Sequence, residues 1–241
     1  MYNLIFDQNT RFYYFENDKK ALDEYMANVS KLKNKDDYYF HLEVLPQPYF
    51  GEIENPYILI LANNPSYVKG DDEFDRDLYL RHKQLSEYLD TLKKVNFLDY
   101  ERIENNYFFN TWQWWHKNVF GNITLKDKSN KIGIINLCGY HSKKFNSNQR
   151  SNLMVSNLKD VITQAKVIVF VWKSTYDIIT KEYPEELKNK PFIILTKGNQ
   201  FGKTNTLEKV LSDDNISKRY NESYEEDAKN VFKEAFFKLE G

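Results

Sequence analysis

Four short apolar runs constrain the fold of this chain more than any other feature of its sequence. They cover residues 57–62, 132–137, 166–172 and 191–196, and each is rich in β-branched or aromatic residues. Because apolar residues occupy successive positions, strands of this kind are buried on both faces, as they are in parallel sheets. The runs therefore predict a central sheet of four strands that is mainly parallel.

Segments with helical periodicity lie between and around these runs. Strands that alternate with helices form right-handed βαβ crossovers, which place helices on both faces of a parallel sheet. We therefore predict the α/β class, as a three-layer αβα fold with a central four-stranded, mainly parallel sheet. Residues 1–241 are expected to form a single domain, with an N-terminal helical and extended arm over about residues 1–50. The predicted helices cover residues 18–34, 74–96, 105–118, 149–165 and 223–239, and residues 175–188 are predicted to hold a short helix that ends near Pro184.

Composition and charge exclude several classes of protein. The 34 basic and 35 acidic side chains leave a net charge of -1, so a nucleic-acid partner requires a local basic surface. The single cysteine, Cys138, excludes a disulfide framework, and no Cys/His pair has metal-binding spacing. No apolar stretch approaches the ~20 residues that span a bilayer, and the N-terminus lacks a signal-peptide pattern. We expect a cytoplasmic protein with no membrane partner and no metal.

The loops that follow the strands are the candidate functional segments, because ligands of parallel α/β sheets bind beyond the carboxyl ends of the strands. The first loop contains Asn64, a candidate catalytic residue, and Asn63, Pro65 and Tyr67, which are candidate substrate contacts. It has no glycine-rich phosphate cradle, so a dinucleotide cofactor is not expected. Proline fixes the backbone, and an Asn side chain both donates and accepts, so this loop could orient a water molecule. The alternative is a turn with an Asn cap.

Asn136 lies at the end of the second apolar run. A buried amide costs free energy unless its hydrogen-bonding groups are satisfied. Two interpretations stay open from the residues alone. The side chain bonds neighbouring backbone, or it points into a pocket and reads the edge of a base.

The second loop continues with Tyr140, His141, Ser142, Lys143 and Lys144. Aromatic rings stack on bases and cations contact phosphates, so Tyr140 and Ser142 are candidate substrate contacts and the two lysines candidate DNA contacts. His141 is a candidate catalytic residue, as a general acid or as a stabiliser of an anionic leaving group. The alternative is an ordinary polar loop.

The fourth loop, residues 196–204 after the last apolar run, is polar and basic, and its two glycines allow close approach of a DNA strand. Phe201 is a candidate wedge that fills a gap in stacked bases, or else a local packing anchor. The candidate DNA-binding residues of this loop are Lys197, Gly198, Asn199, Phe201 and Lys203.

The order of these motifs resembles the uracil-DNA glycosylase superfamily over about residues 45–205. The segment Ala62-Asn63-Asn64-Pro65-Ser66 is similar to the Gly-x-Asn-Pro-Gly motif of the mismatch-specific, thymine-DNA and single-strand-selective branches. Ile134-Ile135-Asn136 resembles the strand that carries the base-reading Asn. The lead-in Leu45-Pro46-Gln47-Pro48-Tyr49-Phe50-Gly51 resembles that of uncharacterised bacterial members.

The resemblance implies a monomeric, cofactor-free glycosylase that hydrolyses the N-glycosidic bond of a uracil-like or modified base in DNA, as in base excision repair. It gives Asn64 the water-orienting role and Asn136 the base-reading role. Two departures stand against the pattern. Ala62 and Ser66 replace both glycines of the first motif, and Thr196-Lys197-Gly198-Asn199 replaces the His-Pro-Ser-Pro type motif. His141 is then the available substitute histidine.

These departures favour a modified base as substrate and a role in defence against modified phage DNA. Two other classes of function stay open. One is a catalytically inactive member of the same fold that binds nucleic acid or a protein partner. The other is a hydrolase that acts on free nucleosides or nucleotides.

Overall fold

A computed structural model of the chain describes residues 3–67, 85–95, 109–121, 131–146, 158–196, 206–212, 227, 230 and 231. The first element is a β-hairpin. Strand β1 (Leu4–Asp7) pairs antiparallel with β2 (Phe12–Phe15), and Arg11 in the connecting turn has a left-handed φ of 60°. The sequence predicted only an extended and helical arm here, because four-residue strands show too few alternations to be recognised.

A five-stranded sheet is the main element of secondary structure. Its strands are β3 (Tyr49–Gly51), β4 (Ile58–Ala62), β5 (Ile132–Asn136), β6 (Val167–Trp172) and β7 (Phe192–Thr196), in the order β3-β5-β4-β6-β7. Strands β4 and β7 both pair parallel with β6. The α/β class and the mostly parallel sheet are therefore confirmed, and the four predicted strands form within about one residue of their predicted bounds.

The predicted count of four strands is wrong, because β3 adds a fifth strand at one edge. The amide of Asn136 donates to the Pro48 carbonyl and the amide of Glu52 donates to the Ile132 carbonyl, a pattern that makes β3 antiparallel to β5. Only three residues long, β3 follows Pro48 and ends at Gly51, so its sequence lacks a strand period. Proline and glycine belong at the edge of a sheet, where β3 lies.

Helices cover several of the predicted segments. The short helix predicted within residues 175–188 forms as Lys173–Glu182 and ends just before Pro184, as expected, and Pro184 begins a separate short helix at its first position. Asp227, Asn230 and Val231 are helical within the predicted 223–239 segment. The α-helices among the described residues are α1 (Lys19–Val29), α2 (Lys35–Tyr38), α3 (Leu85–Lys94), α4 (Phe109–Trp115), α5 (Leu158–Gln164), α6 (Lys173–Glu182), α7 (Pro184–Leu187) and α8 (Leu207–Ser212).

By density of contacts the chain divides into two compact units. The first unit comprises residues 1–50, 63–94 and 135–156, and the second comprises residues 51–62, 95–134 and 157–241. The core of the second unit contains Ile58–Leu61 of β4 and Val167–Val171 of β6, all without solvent exposure. A single domain over residues 1–241 stays a prediction. In the part of the chain that the structure describes, no helix is long and apolar enough to cross a membrane.

Gly133 is required where β5 approaches the segment after β3. A Cβ atom at this position would lie 2.0 Å from the carbonyl oxygen of Glu52, far inside van der Waals contact. We expect Gly133→Ala to lower the free energy of unfolding by about 3 kcal/mol, because the backbone has to shift. Chemical denaturation measures the change. Gly139→Ala is the milder comparison, since its Cβ would lie 3.0 Å from Pro48 Cα, and equal stabilities of the two variants would contradict the prediction.

Candidate functional site

Three backbone segments of the first unit lie side by side, and we call them the loop cluster: residues 41–48, 63–67 and 136–144. The 136–144 segment is in the middle. The amide of Gln47 donates to the Gly139 carbonyl at 2.8 Å, and the amide of Cys138 donates to the Asn63 carbonyl at 2.8 Å. The loop cluster thus contains the first two predicted loops, which are adjacent because each follows a strand of the same sheet at its carboxyl end.

Hydrogen bonds from the side-chain nitrogen of Asn64 hold its amide in one orientation. Nδ2 donates to the Pro65 carbonyl at 2.9 Å, to the Ser142 carbonyl at 3.2 Å and to Ser142 Oγ at 3.0 Å. Ser142 Oγ in turn donates to the Lys144 carbonyl at 2.9 Å. Since Nδ2 is committed to acceptors, the orientation of the amide is determined, and Oδ1 accepts no hydrogen bond from any described residue. An oriented acceptor of this kind is suited to holding a water molecule.

Asn136 is 3% exposed, and its Nδ2 donates to the Gln47 carbonyl at 2.7 Å. Part of its hydrogen-bonding capacity is therefore used to join two segments of the loop cluster, in line with the backbone-bonding interpretation. Its Oδ1 accepts no hydrogen bond from the described residues. The base-reading interpretation of Asn136 stays a prediction, and it applies to this oxygen.

His141 is buried, and its surroundings hold it in one neutral form. Its Nδ1 lies 2.9 Å from the Ser66 carbonyl, so Nδ1 carries the proton, while Nε2 is buried. Burial lowers the pKa of His141 from 6.5 to about 4, although the backbone groups of Ser66 and Leu45 oppose this change. At neutral pH the imidazole has no proton at Nε2 to donate, which weighs against the predicted general-acid role.

Tyr140 is also inside the protein. Its hydroxyl donates to Asp18 Oδ2 at 2.9 Å and accepts from the Phe15 amide at 3.0 Å, and its ring packs against Phe15 and Phe40. Burial raises the pKa of Asp18 to about 6 and also raises that of Tyr140. With 1% exposure, the ring of Tyr140 presents no face on which a base can stack. In this arrangement Tyr140 joins the N-terminal hairpin to the loop cluster.

We expect Tyr140→Phe to lower the free energy of unfolding by about 1–3 kcal/mol, because the variant loses the buried hydrogen bonds that the hydroxyl makes with the Phe15 amide and the Asp18 carboxyl. Thermal or urea unfolding at pH 7 measures the loss. Tyr39→Phe is the matched control, since the Tyr39 side chain is 39% exposed. A Tyr140→Phe variant as stable as the control would contradict the structural role of the hydroxyl.

The remaining predicted residues of the loop cluster differ in accessibility. The Tyr67 ring stacks on His41 with centroids 3.3 Å apart, and His41 Nδ1 lies 2.8 Å from Glu43 Oε1. Lys143 and Lys144 are exposed, as the predicted phosphate contacts require. Lys144 pairs with Asp37 at 2.7 Å, so Lys143 is the lysine of this pair that no described residue neutralises.

The structure does not describe the predicted DNA-binding residues of the fourth loop. Lys197, Gly198, Asn199, Phe201 and Lys203 all lie outside the described residues. Within the described ranges, no group of three or more His, Cys, Asp or Glu side chains could hold a metal ion.

The sequence predictions missed two residues of the loop cluster, His41 and Gln47. Both precede the first apolar run in the chain, in a segment with no strand or helix period. The available signals for Gln47 were the prolines on either side of it, which restrict the backbone, and the resemblance of residues 45–51 to the lead-in of the family.

Comparison of the chain with protein-family models, with curated proteins and with solved structures gives no match. Any inference about the function of the loop cluster therefore rests on the contacts described above.

Proposed function

We propose that this protein is a monofunctional DNA glycosylase that excises a uracil-like or modified base by hydrolysis of the N-glycosidic bond. The observation that carries the proposal is the state of Asn64. Its Nδ2 is committed to three acceptors, while its Oδ1 is left oriented and without a partner among the described residues. An amide cannot remove a proton from water as a carboxylate can, so its role is to position the water.

Such a site suits a reaction in which the glycosidic bond breaks first. Both electrons of the bond between C1′ and the base nitrogen go to the base, which leaves as an anion. Water held by Asn64 then bonds to the electron-poor C1′, and the proton that it releases ends on the base. The target base has to be turned out of the helix to reach a site of this kind. No cofactor enters this scheme.

The partner in this proposal is DNA, bound by a monomer in the cytoplasm, with Lys143 exposed for a phosphate contact. The altered first motif favours a modified base over uracil, and defence against modified phage DNA is the corresponding biological role. Base excision repair is the role if uracil itself is released.

A second candidate function is a catalytically inactive relative that binds nucleic acid or a protein partner. The observation that favours it is His141, which is buried and has no proton at Nε2 for a leaving base. A hydrolase of free nucleosides is a further alternative.

Incubation with oligonucleotides that carry assorted modified bases, followed by alkali, separates these functions. Strand breakage at one type of base is the expected result, because excision leaves an alkali-labile abasic site. Binding of the same oligonucleotides without breakage would support the inactive relative. Release of base only from free nucleosides would support the nucleoside hydrolase.

A further inference from the structure

An exposed basic surface lies beside the loop cluster, within the first compact unit. It joins the turn after α1 and the helix α2 to the end of the second loop. The Lys144 amide donates to the Asp37 carbonyl at 2.7 Å, and the His41 amide donates to the His141 carbonyl at 2.9 Å, so α2 and the residues after it lie along this loop. The basic surface comprises residues 31–39, 143 and 144.

The charge of the basic surface differs from that of the whole chain. It contains five lysines and two aspartates, an excess of three positive charges, whereas the whole chain has a net charge of -1. Lys144 pairs with Asp37 at 2.7 Å, and the other four lysines make no ion pair with a described residue. All five lysines are exposed: Lys31, Lys33, Lys35, Lys143 and Lys144. The surface thus supplies the local concentration of basic side chains that a nucleic-acid partner requires.

Tyr39 adds an aromatic ring to the basic surface. Its side chain is 39% exposed, and among the described residues only Trp114 is another large hydrophobic side chain with comparable exposure. The amide of Tyr39 donates to the Lys35 carbonyl at 2.9 Å, so Tyr39 follows Lys35 by one helical turn and the two residues lie on the same side of α2. An exposed ring beside unpaired cations is the combination that binds single-stranded nucleic acid.

We propose that the basic surface binds a single strand of DNA, with phosphates on Lys35 and Lys143 and an unpaired base stacked on Tyr39; that the nucleic acid is DNA rests on the glycosylase function proposed above. A tyrosine ring stacks on the face of any base, and lysines contact phosphates without regard to sequence. In a duplex the neighbouring base pairs cover the faces of each base. Tyr39 therefore has a stacking partner only where the strand is unpaired.

The position of the basic surface connects it to the candidate site. Lys143 directly follows Ser142, whose Oγ and carbonyl accept hydrogen bonds from Asn64 Nδ2. A strand bound at Lys143 therefore passes close to the amide that is proposed to hold the water molecule. An unpaired base on such a strand is presented without the free-energy cost of opening a duplex.

Fluorescence anisotropy with a labelled oligothymidylate, alone and in duplex with oligodeoxyadenylate, tests the proposal without requiring catalysis. We expect the single strand to bind more tightly than the duplex. The double variant Lys35→Gln, Lys143→Gln should weaken single-strand binding by roughly 10-fold and lower the slope of log affinity against log salt concentration by about 1.4, the change expected from two lost phosphate contacts. Lys181→Gln with Lys188→Gln is the matched control, because it removes the same charge from exposed lysines of the second unit.

Variants of Tyr39 test the stacking contact separately from the charge. Tyr39→Leu should weaken single-strand binding by roughly 10-fold and leave the salt slope unchanged, whereas Tyr39→Phe should bind as wild type does, because it retains the ring. Asp36→Asn should strengthen binding, since Asp36 is exposed and pairs with no described lysine.

Three results would overturn the proposal. They are equal affinity of the Lys35, Lys143 double variant and its control, wild-type affinity of Tyr39→Leu, and binding of the duplex that equals or exceeds binding of the single strand. The oligonucleotide excision assay distinguishes these failures from failure of the function proposed above. Binding that depends on Lys35, Lys143 and Tyr39 but leads to no excision would remove the glycosylase function and retain the basic surface. Excision at the wild-type rate by all these variants, at DNA concentrations below saturation, would retain the glycosylase function and overturn the basic surface.

Discussion

Replacing Asn64 by alanine is expected to lower the single-turnover rate of base excision by about 10²-fold or more, the size typical of losing one positioned polar group. The physical reason is that Oδ1 of Asn64 is an oriented acceptor that no described residue of the loop cluster occupies. The affinity for DNA should change little, because the lysines that are predicted to contact phosphates are untouched. Quenched single-turnover reactions and a separate equilibrium binding titration measure the two quantities.

Two further variants separate the water-holding role of Asn64 from its structural role. Ser142→Ala removes one of the three acceptors of Nδ2 but leaves Oδ1 in place, so the loss of rate should be much smaller. Asn64→Asp sets a second oxygen against the carbonyls of Pro65 and Ser142, so we expect its excision to be slower than that of wild type. If Asn64→Ala excised the base at the wild-type rate, the first loop would be only a turn, and the water-orienting role of Asn64 would be contradicted.

Acid should destabilise the protein through His141. The pKa of His141 is lowered from 6.5 in the unfolded chain to about 4 in the folded protein, chiefly by burial. The stability associated with the neutral imidazole is therefore complete above pH 6.5 and is lost as the pH falls towards 4. A shift of this size corresponds to roughly 3 kcal/mol in the free energy of unfolding. Urea denaturation from pH 7.5 to 4 measures the loss.

His141→Asn is the variant that isolates this effect. An Asn side-chain nitrogen can keep the hydrogen bond to the Ser66 carbonyl but does not titrate, so the difference in stability between wild type and variant should shrink as the pH falls. A difference that is constant between pH 7.5 and 4 would contradict the lowered pKa.

Asp18 titrates over part of the same range with the opposite sign, so it needs its own control. Burial raises the pKa of Asp18 from 3.8 to about 6, and its contribution to stability is complete below pH 3.8 and lost as the pH rises through 6. The free energy of unfolding of wild type should therefore fall as the pH rises through 6, and the Asp18→Asn variant should not show this fall. The Asn oxygen still accepts a hydrogen bond from the Tyr140 hydroxyl, so the packing is retained.

The sheet was predictable because burial on both faces leaves a continuous apolar run in the sequence. Ile58–Leu61 and Val167–Val171 show this, and the strands that contain them begin and end close to their predicted bounds. Strand β3 and the N-terminal hairpin were not predictable, because strands of three or four residues are too short to show a period and are defined by the partner with which they pair.

At the candidate site, the sequence by itself determined which loops follow the strands, and hence that Asn63, Asn64 and Asn136 lie at one edge of the sheet. Only the tertiary structure decided which polar groups stay uncommitted there. His141 and Tyr140 looked like accessible polar residues, yet contacts with Ser66, Asp18 and Phe15 enclose both. Gln47 looked like part of an extended arm, yet it is buried beside Asn136. Burial and hydrogen-bond partners depend on residues that are distant in the chain, and local sequence patterns do not record them.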